Sequence, residues 1–357
     1  MKTKHPFLCL ERFCLKKTQI ITKSHIFWLV FVLLSFSLCV AIYCHLRFGA
    51  VALSHQDLNS ILFGKQNGHK ANVLLAIRLP RLFGATLTGS ALAVSGTIMQ
   101  AITRNPIAEP GLLGINAGAG LALVLAYAFV PHLHYSLIIL LSLLGSSLAA
   151  TLVFGLSYQS GKSYHQLRLV LAGVMVSILL SALGQGITNY YHLTNAVIGW
   201  QAGGLVGVNW QMIGYIAPLI ILSLCLAQLL SYHLTVLSLS ESQAKALGQK
   251  TNLISAVFMI LVLILSSAAV AIAGSISFIG LVIPHLMKHF TPHHYRYFLP
   301  LCAVSGASFM VWVDIACRNL NPPYETPLGA LVSLIGFPCF LWLIRRGGRY
   351  LNLKDTF

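Results

Sequence analysis

Charged positions in this chain are few, and long apolar stretches separate them. Segments without Asp, Glu, Lys or Arg cover 24–46, 82–103, 110–161, 169–240, 251–287, 297–313 and 326–344. A helix needs about 20 apolar residues to cross a hydrocarbon core about 30 Å thick. The 110–161 stretch is long enough for two spans, with a turn at Pro131-His132-Leu133-His134. The 169–240 stretch holds two more, on either side of a Gly-, Asn- and Trp-rich segment from Thr194 to Trp210. The 251–287 stretch breaks at Ala273-Gly274-Ser275 and continues through Pro284 to about Phe290, giving another two. The pattern predicts an all-α polytopic membrane protein with ten transmembrane helices.

Ten is even, so both termini share a side. With the N-terminus in the cytoplasm, inner segments carry 17 of the 23 Lys and Arg residues. The outer loops carry the other 6: Arg47, Lys65, Lys70, Arg78, Arg81 and Arg318. The positive-inside rule therefore predicts cytoplasmic N- and C-termini. Three regions follow: a basic segment at 1–23, the ten-helix domain at 24–346, and a tail at 347–357. The first 23 residues are basic, and no small-residue cleavage site follows the first apolar run. That run reads as a retained helix.

Composition agrees. Charged residues are 8% and apolar residues 57% of 357, and mean hydropathy is +0.80. So little charge cannot cover a soluble surface. A cytosolic enzyme, a disordered chain and a secreted disulfide scaffold are excluded. The net charge of +16 is topology charge facing an anionic inner leaflet. Basic residues are scattered along the chain, which gives no nucleic-acid-binding face. The eight cysteines (Cys9, Cys14, Cys39, Cys44, Cys225, Cys302, Cys317 and Cys339) include no C-x-x-C pair. Most lie in expected spans, where a thiol acts as a small hydrophobe.

The seven acids narrow the function. Glu11, Asp57, Glu109, Glu241, Glu325 and Asp355 fall in loops, tails or span ends. Asp314 alone is placed within a span, near its end, with Arg318 one helical turn away as a structural partner. Ion-driven carriers place ionisable groups at mid-membrane. Their scarcity here points to an energy source outside the chain. Small residues are dense in the second and third expected spans, including Gly84, Gly89, Gly96, and the G-x-x-x-G pair Gly114 and Gly118. Such faces let helices approach closely.

Several motifs fall short. Ser160-Gly161-Lys162-Ser163 resembles the end of a phosphate loop, but the required glycine at 156 is Leu156, so ATP binding by this chain is not expected. His285 and His289 have the spacing of a metal pair, with His293 and His294 nearby. No glutamate accompanies them, so no metal site is assigned. No G-x-S-x-G occurs, so an intramembrane serine enzyme lacks its signature.

Four segments carry a resemblance. Arg78-Leu79-Pro80-Arg81 opens the second span, and Gly96-Thr97-Ile98-Met99-Gln100 lies near its close. Arg104-Asn105-Pro106-Ile107-Ala108-Glu109-Pro110-Gly111-Leu112-Leu113-Gly114 follows. Then come the run from Ala273 to His285, including Gly280 and Pro284, and Asp314-Ile315-Ala316-Cys317-Arg318 with Glu325-Thr326-Pro327-Leu328-Gly329. In this order the set resembles the FecCD family of ABC-importer permeases, from about residue 73 to 346. Members of that family carry ferric siderophores, haem or vitamin B12. The resemblance implies a homodimer forming the passage in the cell inner membrane and two ABC ATPase subunits on the cytoplasmic side. A periplasmic or lipoprotein substrate-binding protein would dock outside. It implies no covalent chemistry and no cofactor on this chain, with ATP and Mg on the partner ATPase.

Site residues follow from the same resemblance. Leu239, Glu241, Ala244, Leu247 and Gly248 match the loop that couples to the ATPase. Independently of it, Ser240 reads as an N-cap and Gly248 as a C-terminal stop. Arg78, Arg81 and Arg318 match positions where acidic residues of a binding protein dock, a role that suits bidentate guanidinium. Arg81 is close enough to the span to be partly buried instead. Asn105, Ile107, Gln166 and Leu167 match a cytoplasmic gate. Ferric siderophore is the first choice of cargo, vitamin B12 second and haem third. The alternative is an ion-coupled secondary transporter or channel working without an ATPase.

Overall fold

The computed structural model describes residues 7–49, 51–64, 68–130, 135–157, 166–291, 294–322 and 324–351. Regular structure among them is helical throughout. Helix α1 (Phe7–Arg47) runs without a break across the expected boundary at 23/24. Two short helices, α2 (His55–Leu62) and α3 (His69–Asn72), form the first loop. A π-helical turn at Val73–Arg78 then leads into α4 (Leu79–Thr103), with Pro80 in its first turn. Helical backbone is continuous from His69 to Thr103, and Pro80, which has no N–H to donate, follows directly on the π-helical turn where the regular hydrogen-bond ladder is already interrupted.

A 3-10 turn at Pro110–Leu113 precedes α5 (Ile115–Phe129) and α6 (Tyr135–Ser157). Next come α7 (Gln166–Tyr190), the short α8 (Thr194–Gln201) and α9 (Trp210–Leu229). The short α10 (Ser231–Leu237) and α11 (Glu241–Ala246) lead to α12 (Thr251–Ala273). The chain closes with α13 (Ile279–Met287), α14 (Tyr295–Asn319) and α15 (Leu328–Leu351).

Each of the ten apolar segments is helical, but they do not all have crossing length. Among the described residues, seven stretches are long and apolar enough to cross a membrane: His25–Arg47, His69–Thr103, Leu137–Ser157, Arg168–Tyr190, Trp210–Leu229, Thr251–Ala273 and Tyr295–Asn319. Ile115–Phe129 and Leu328–Trp342 are shorter apolar helices. The nine residues of α13 reach about 14 Å, less than half the hydrocarbon thickness. Apolarity marked this segment in the sequence, but length decides whether it crosses alone. The turn expected at Pro131-His132-Leu133-His134 and the motif Ser160–Ser163 lie outside the described residues.

Helix α4 is the centre of the bundle. Of its most apolar window 78% is buried, against 67% for α12 and for α14 and 11% for α1. Glycine explains how its neighbours approach. A Cβ on Gly96 would stand 1.9 Å from the carbonyl oxygen of Gly280, and one on Gly89 2.2 Å from that of Gly306. The backbones of α13 and α14 therefore lie directly on α4. Gly118 and Gly145 make the same contact between α5 and α6, at 2.3 Å in each direction. In the pair Gly114/Gly118 the roles differ: Gly118 packs, whereas Gly114 has φ 73° and turns the chain into α5. Left-handed backbone is where glycine has no steric penalty.

The segment between α8 and α9 stitches loops together. Gly204 N–H donates to the Ala273 carbonyl (2.9 Å), and the N–H groups of Leu328 and Gly329 donate to the carbonyls of Gly203 and Ala202 (3.2 Å each). Irregular backbone in an apolar bundle survives only where such partners satisfy it. Asn209 then caps α9, its side chain accepting the Met212 N–H at 2.9 Å.

Candidate functional sites

The Arg78 end of α4 carries a buried ionic cluster. Arg81 Nε donates to both oxygens of Asp314 at 3.0 Å, and Nη2 reaches Oδ1 at 2.8 Å. Its outer edge holds Glu325, Nη1 to Oε1 at 2.8 Å and Nη2 to Oε2 at 2.9 Å. His45 Nε2 lies 2.9 Å from Asp314 Oδ2, and Arg318 Nε lies 3.4 Å from the same oxygen. The cluster joins α1, α4, α14 and the segment leading into α15. The Asp314 side chain is fully buried, whereas the Glu325 side chain is 36% exposed.

Arg78 is satisfied differently. It donates to the carbonyls of Leu46 and Arg47 at the end of α1 and of Val51 in the loop that follows. Arg78 and Arg81 are 3% and 5% exposed. In this arrangement their N–H groups face carbonyls and carboxylates of the same chain. The expected Asp314–Arg318 pair is present, but Arg81 holds Asp314 more closely. His45 and Arg81 were not assigned from sequence as partners of Asp314, nor Glu325 as a partner of Arg81. The available signal was the acid itself, since a carboxylate inside an apolar bundle requires a cation.

At the Arg104 end lies α11, six residues long. Its capping box is reciprocal: Ser240 Oγ accepts the Gln243 N–H, and Gln243 Oε1 accepts the Ser240 N–H. This pattern satisfies two otherwise unpartnered donors. Gly248, with φ 77°, ends the turn, and its N–H donates to the Lys245 carbonyl. Lys245 bridges Glu241 at 2.7 Å, one turn apart. Ala244 is fully buried, so it seats the helix on its own bundle. Leu239 and Leu247 point outward, at 41% and 67% exposed. The sequence-assigned residues thus split: Leu239, Glu241, Leu247 and Gly248 face out, and Ala244 faces in.

The same end carries the loop after α4. Asn105 Oδ1 accepts the Ile107 N–H at 3.0 Å, and Ile107 is 45% exposed. A small recess beside it is lined by Met99, Thr103, Asn105, Ala108, Leu113, Leu169 and Val170. The structure therefore brings the Asn105 loop against the first turns of α7. Gln166 and Leu167 open that helix, and their side chains lie outside the described residues.

Glu109, read from sequence only as a loop acid, has a defined partner. Its Oε1 accepts the Phe278 N–H at 2.6 Å. Burial pushes its carboxyl up to about 7, with the Phe278 hydrogen bond pulling the other way. Phe278 has φ 72°, and Arg104, at the start of the same loop, has φ 51°. Non-glycine residues in this region carry strain of about 1–3 kcal/mol, held by their surroundings. His285 and His289 sit one turn apart at the end of α13, with ring centroids 5.9 Å apart and His289 Nδ1 3.2 Å from the His285 carbonyl oxygen.

Residues 36–346 match the model of the FecCD transport family. The chain belongs to the FecCD family. It is 38% identical over 315 residues to the iron(3+)-hydroxamate import system permease protein FhuB of Bacillus subtilis, covering 88% of this chain and 82% of that one. It is 36% identical to the hemin transport system permease protein HmuU of Yersinia pestis, over 84% and 90% of the two chains. Against the Fe(3+) dicitrate permease FecC of Escherichia coli it is 37% identical, over 76% and 82%. A solved inward-facing conformation of a metal-chelate type ABC transporter matches at TM-score 0.78 and 29% identity, over 89% of this chain and 99% of that one. This FecCD chain is accordingly a multi-pass membrane protein of the ABC permease class.

Proposed function

We propose that this chain is the transmembrane permease of a binding-protein-dependent ABC importer for a ferric siderophore, acting as a homodimer in the cytoplasmic membrane. The single observation that carries the reading is α11. A capped, rigid turn seated by buried Ala244 presents exposed Leu247 and Leu239 beside a polar helix. An apolar side chain held out on such a helix suits a groove on another protein. ATP and Mg belong to that partner, and the permease itself performs no covalent chemistry.

The iron complexes named for FhuB, HmuU and FecC favour an iron chelate over vitamin B12. All ten apolar helices are proposed to lie in the membrane region, α13 as the short second half of a broken span. Both termini are proposed to be cytoplasmic, from the 17-to-6 bias of basic residues. The binding protein is proposed to dock over the Arg78 end. Burial of Arg78 and Arg81 makes them the platform beneath that surface, with Glu325 at its exposed edge.

The test is to purify the tagged chain from native membranes and identify what accompanies it. A stoichiometric ABC ATPase supports the importer. A homomer without ATPase that still moves ferric siderophore into liposomes overturns it in favour of a secondary transporter.

A further inference from the structure

The loop from Arg104 to Glu109 is tied at both ends. At one end, Arg104 Nε and Nη2 donate to the Leu237 carbonyl at 3.3 and 3.2 Å. Leu237 ends α10, three residues before the Ser240 cap of α11. At the other end, Glu109 accepts the Phe278 N–H. Phe278 occupies the break between the end of α12 at Ala273 and the start of α13 at Ile279.

Both ties fall at unusual backbone. Among the described residues three non-glycines have positive φ, and Arg104 and Phe278 are two of them. Such conformations persist where the surroundings over-determine them, and they cluster at moving or functional sites. The break is gripped from a second direction. Gln100 Nε2 donates to the Gly280 carbonyl at 3.2 Å, and the Phe278 Cβ packs on Gly336 of α15. Within the loop, the Asn105–Ile107 hydrogen bond and Pro106 limit slack.

We infer that residues 104–109 form a strut that carries displacement of α11 to the α12–α13 break, with Asn105 and Ile107 riding on it. Arg104 and Glu109 are its anchors, and both are positioning residues. A slack loop would absorb a movement at α11. A six-residue segment fixed at both ends passes it on. The inference rests on the importer reading, because the strut matters to transport only if a partner moves α11.

The experiment uses the full chain reconstituted with its binding protein and ATPase. The probe is ferrichrome loaded with radiolabelled iron. Uptake, ATP hydrolysis and amide exchange of the peptide spanning residues 275–281 are read together. With Glu109→Ala, uptake is expected to fall about tenfold while ATP hydrolysis stays within about twofold, and the peptide exchanges about tenfold faster. Glu109→Gln keeps an acceptor for the Phe278 N–H and is expected to restore uptake and exchange to within about threefold of the parent. Arg104→Ala combined with Glu109→Ala is expected to be no worse than the worse single change, because the two anchors act in series.

Parent-like uptake and exchange in Glu109→Ala, or multiplying losses in the double variant, overturn the strut. Equal loss of uptake and ATP hydrolysis also overturns it, since that marks simple structural damage. If the parent takes up no ferrichrome, the siderophore reading fails, and the exchange arm still decides whether Glu109 holds the break.

Discussion

Arg81 and Asp314 lie 233 residues apart in the chain and are joined by three hydrogen bonds of 2.8–3.0 Å inside the bundle. The pair locks α4 to α14 at the end where α1 also closes through His45. Asp314→Ala should be strongly destabilising, by about 3–5 kcal/mol, because it removes the fully buried counter-charge shared by Arg81 and Arg318 and leaves Arg81 only the partly exposed Glu325. Replacing Arg81 and Asp314 together by Met and Leu should cost clearly less. Melting of the purified chain in detergent measures both. Equal losses in the single and double variants would show that the pair is not the source of the effect.

Gly96→Ala should abolish folding or lower the yield of monodisperse protein severely. Its Cβ would meet the Gly280 backbone at 1.9 Å, and backbone cannot swing aside as a flexible side chain does. Gly184→Ala is the control, since its nearest neighbour would be 3.9 Å away. It should be neutral, or slightly stabilising in a helix, by a few tenths of a kcal/mol up to about 1. Size-exclusion profiles and melting curves distinguish the two.

Leu247→Glu should leave the chain's stability within about 0.5 kcal/mol of the parent, because the side chain is 67% exposed. On the importer reading it should nonetheless remove the ATPase from the purified complex. Ser240→Ala should act through the helix itself, costing about 1 kcal/mol of local stability by losing the cap. Normal ATPase recovery with Leu247→Glu would move the coupling surface elsewhere.

Glu109 sets a pH dependence whose sign is fixed. Its carboxyl is raised from an ordinary 4.5 to about 7 by burial, so the folded chain binds this proton more tightly than the unfolded chain. The associated stability is fully present below about 4.5 and is lost as pH rises to about 7, by at most about 3 kcal/mol. Arg104, at the other end of the loop, is directed to the Leu237 carbonyl. Glu109→Gln should flatten this part of the stability profile. Melting both proteins between pH 4.5 and 8 isolates the effect as their difference, and parallel curves would contradict it.

Much of this arrangement was legible along the chain. Charge-free stretches located the helices, because water and lipid sort apolar residues regardless of which helix packs on which. Ser240 and Gly248 marked the ends of α11, since capping is local chemistry. The density of small residues announced close packing in α4. It did not say which glycine meets which: Gly89 faces Gly306 and Gly96 faces Gly280, while Gly114 only turns the chain.

The partners of the charged residues were less legible than apolarity. Arg78 and Arg81 stand at a helix end, where snorkelling to solvent and burial with a partner look the same in sequence. Burial required Asp314, Glu325 and the carbonyls of α1 to arrive from distant parts of the chain. Glu109 was indistinguishable from a solvated loop acid until α13 brought the Phe278 N–H to it. The sequence by itself determined a multi-helix membrane protein of the FecCD family with a capped helix between two spans. Tertiary structure alone decided which charges are buried, which helix falls short of crossing, and which loop is held at both ends. Those outcomes depend on long-range contacts, and a residue's environment is set by neighbours that the local pattern does not encode.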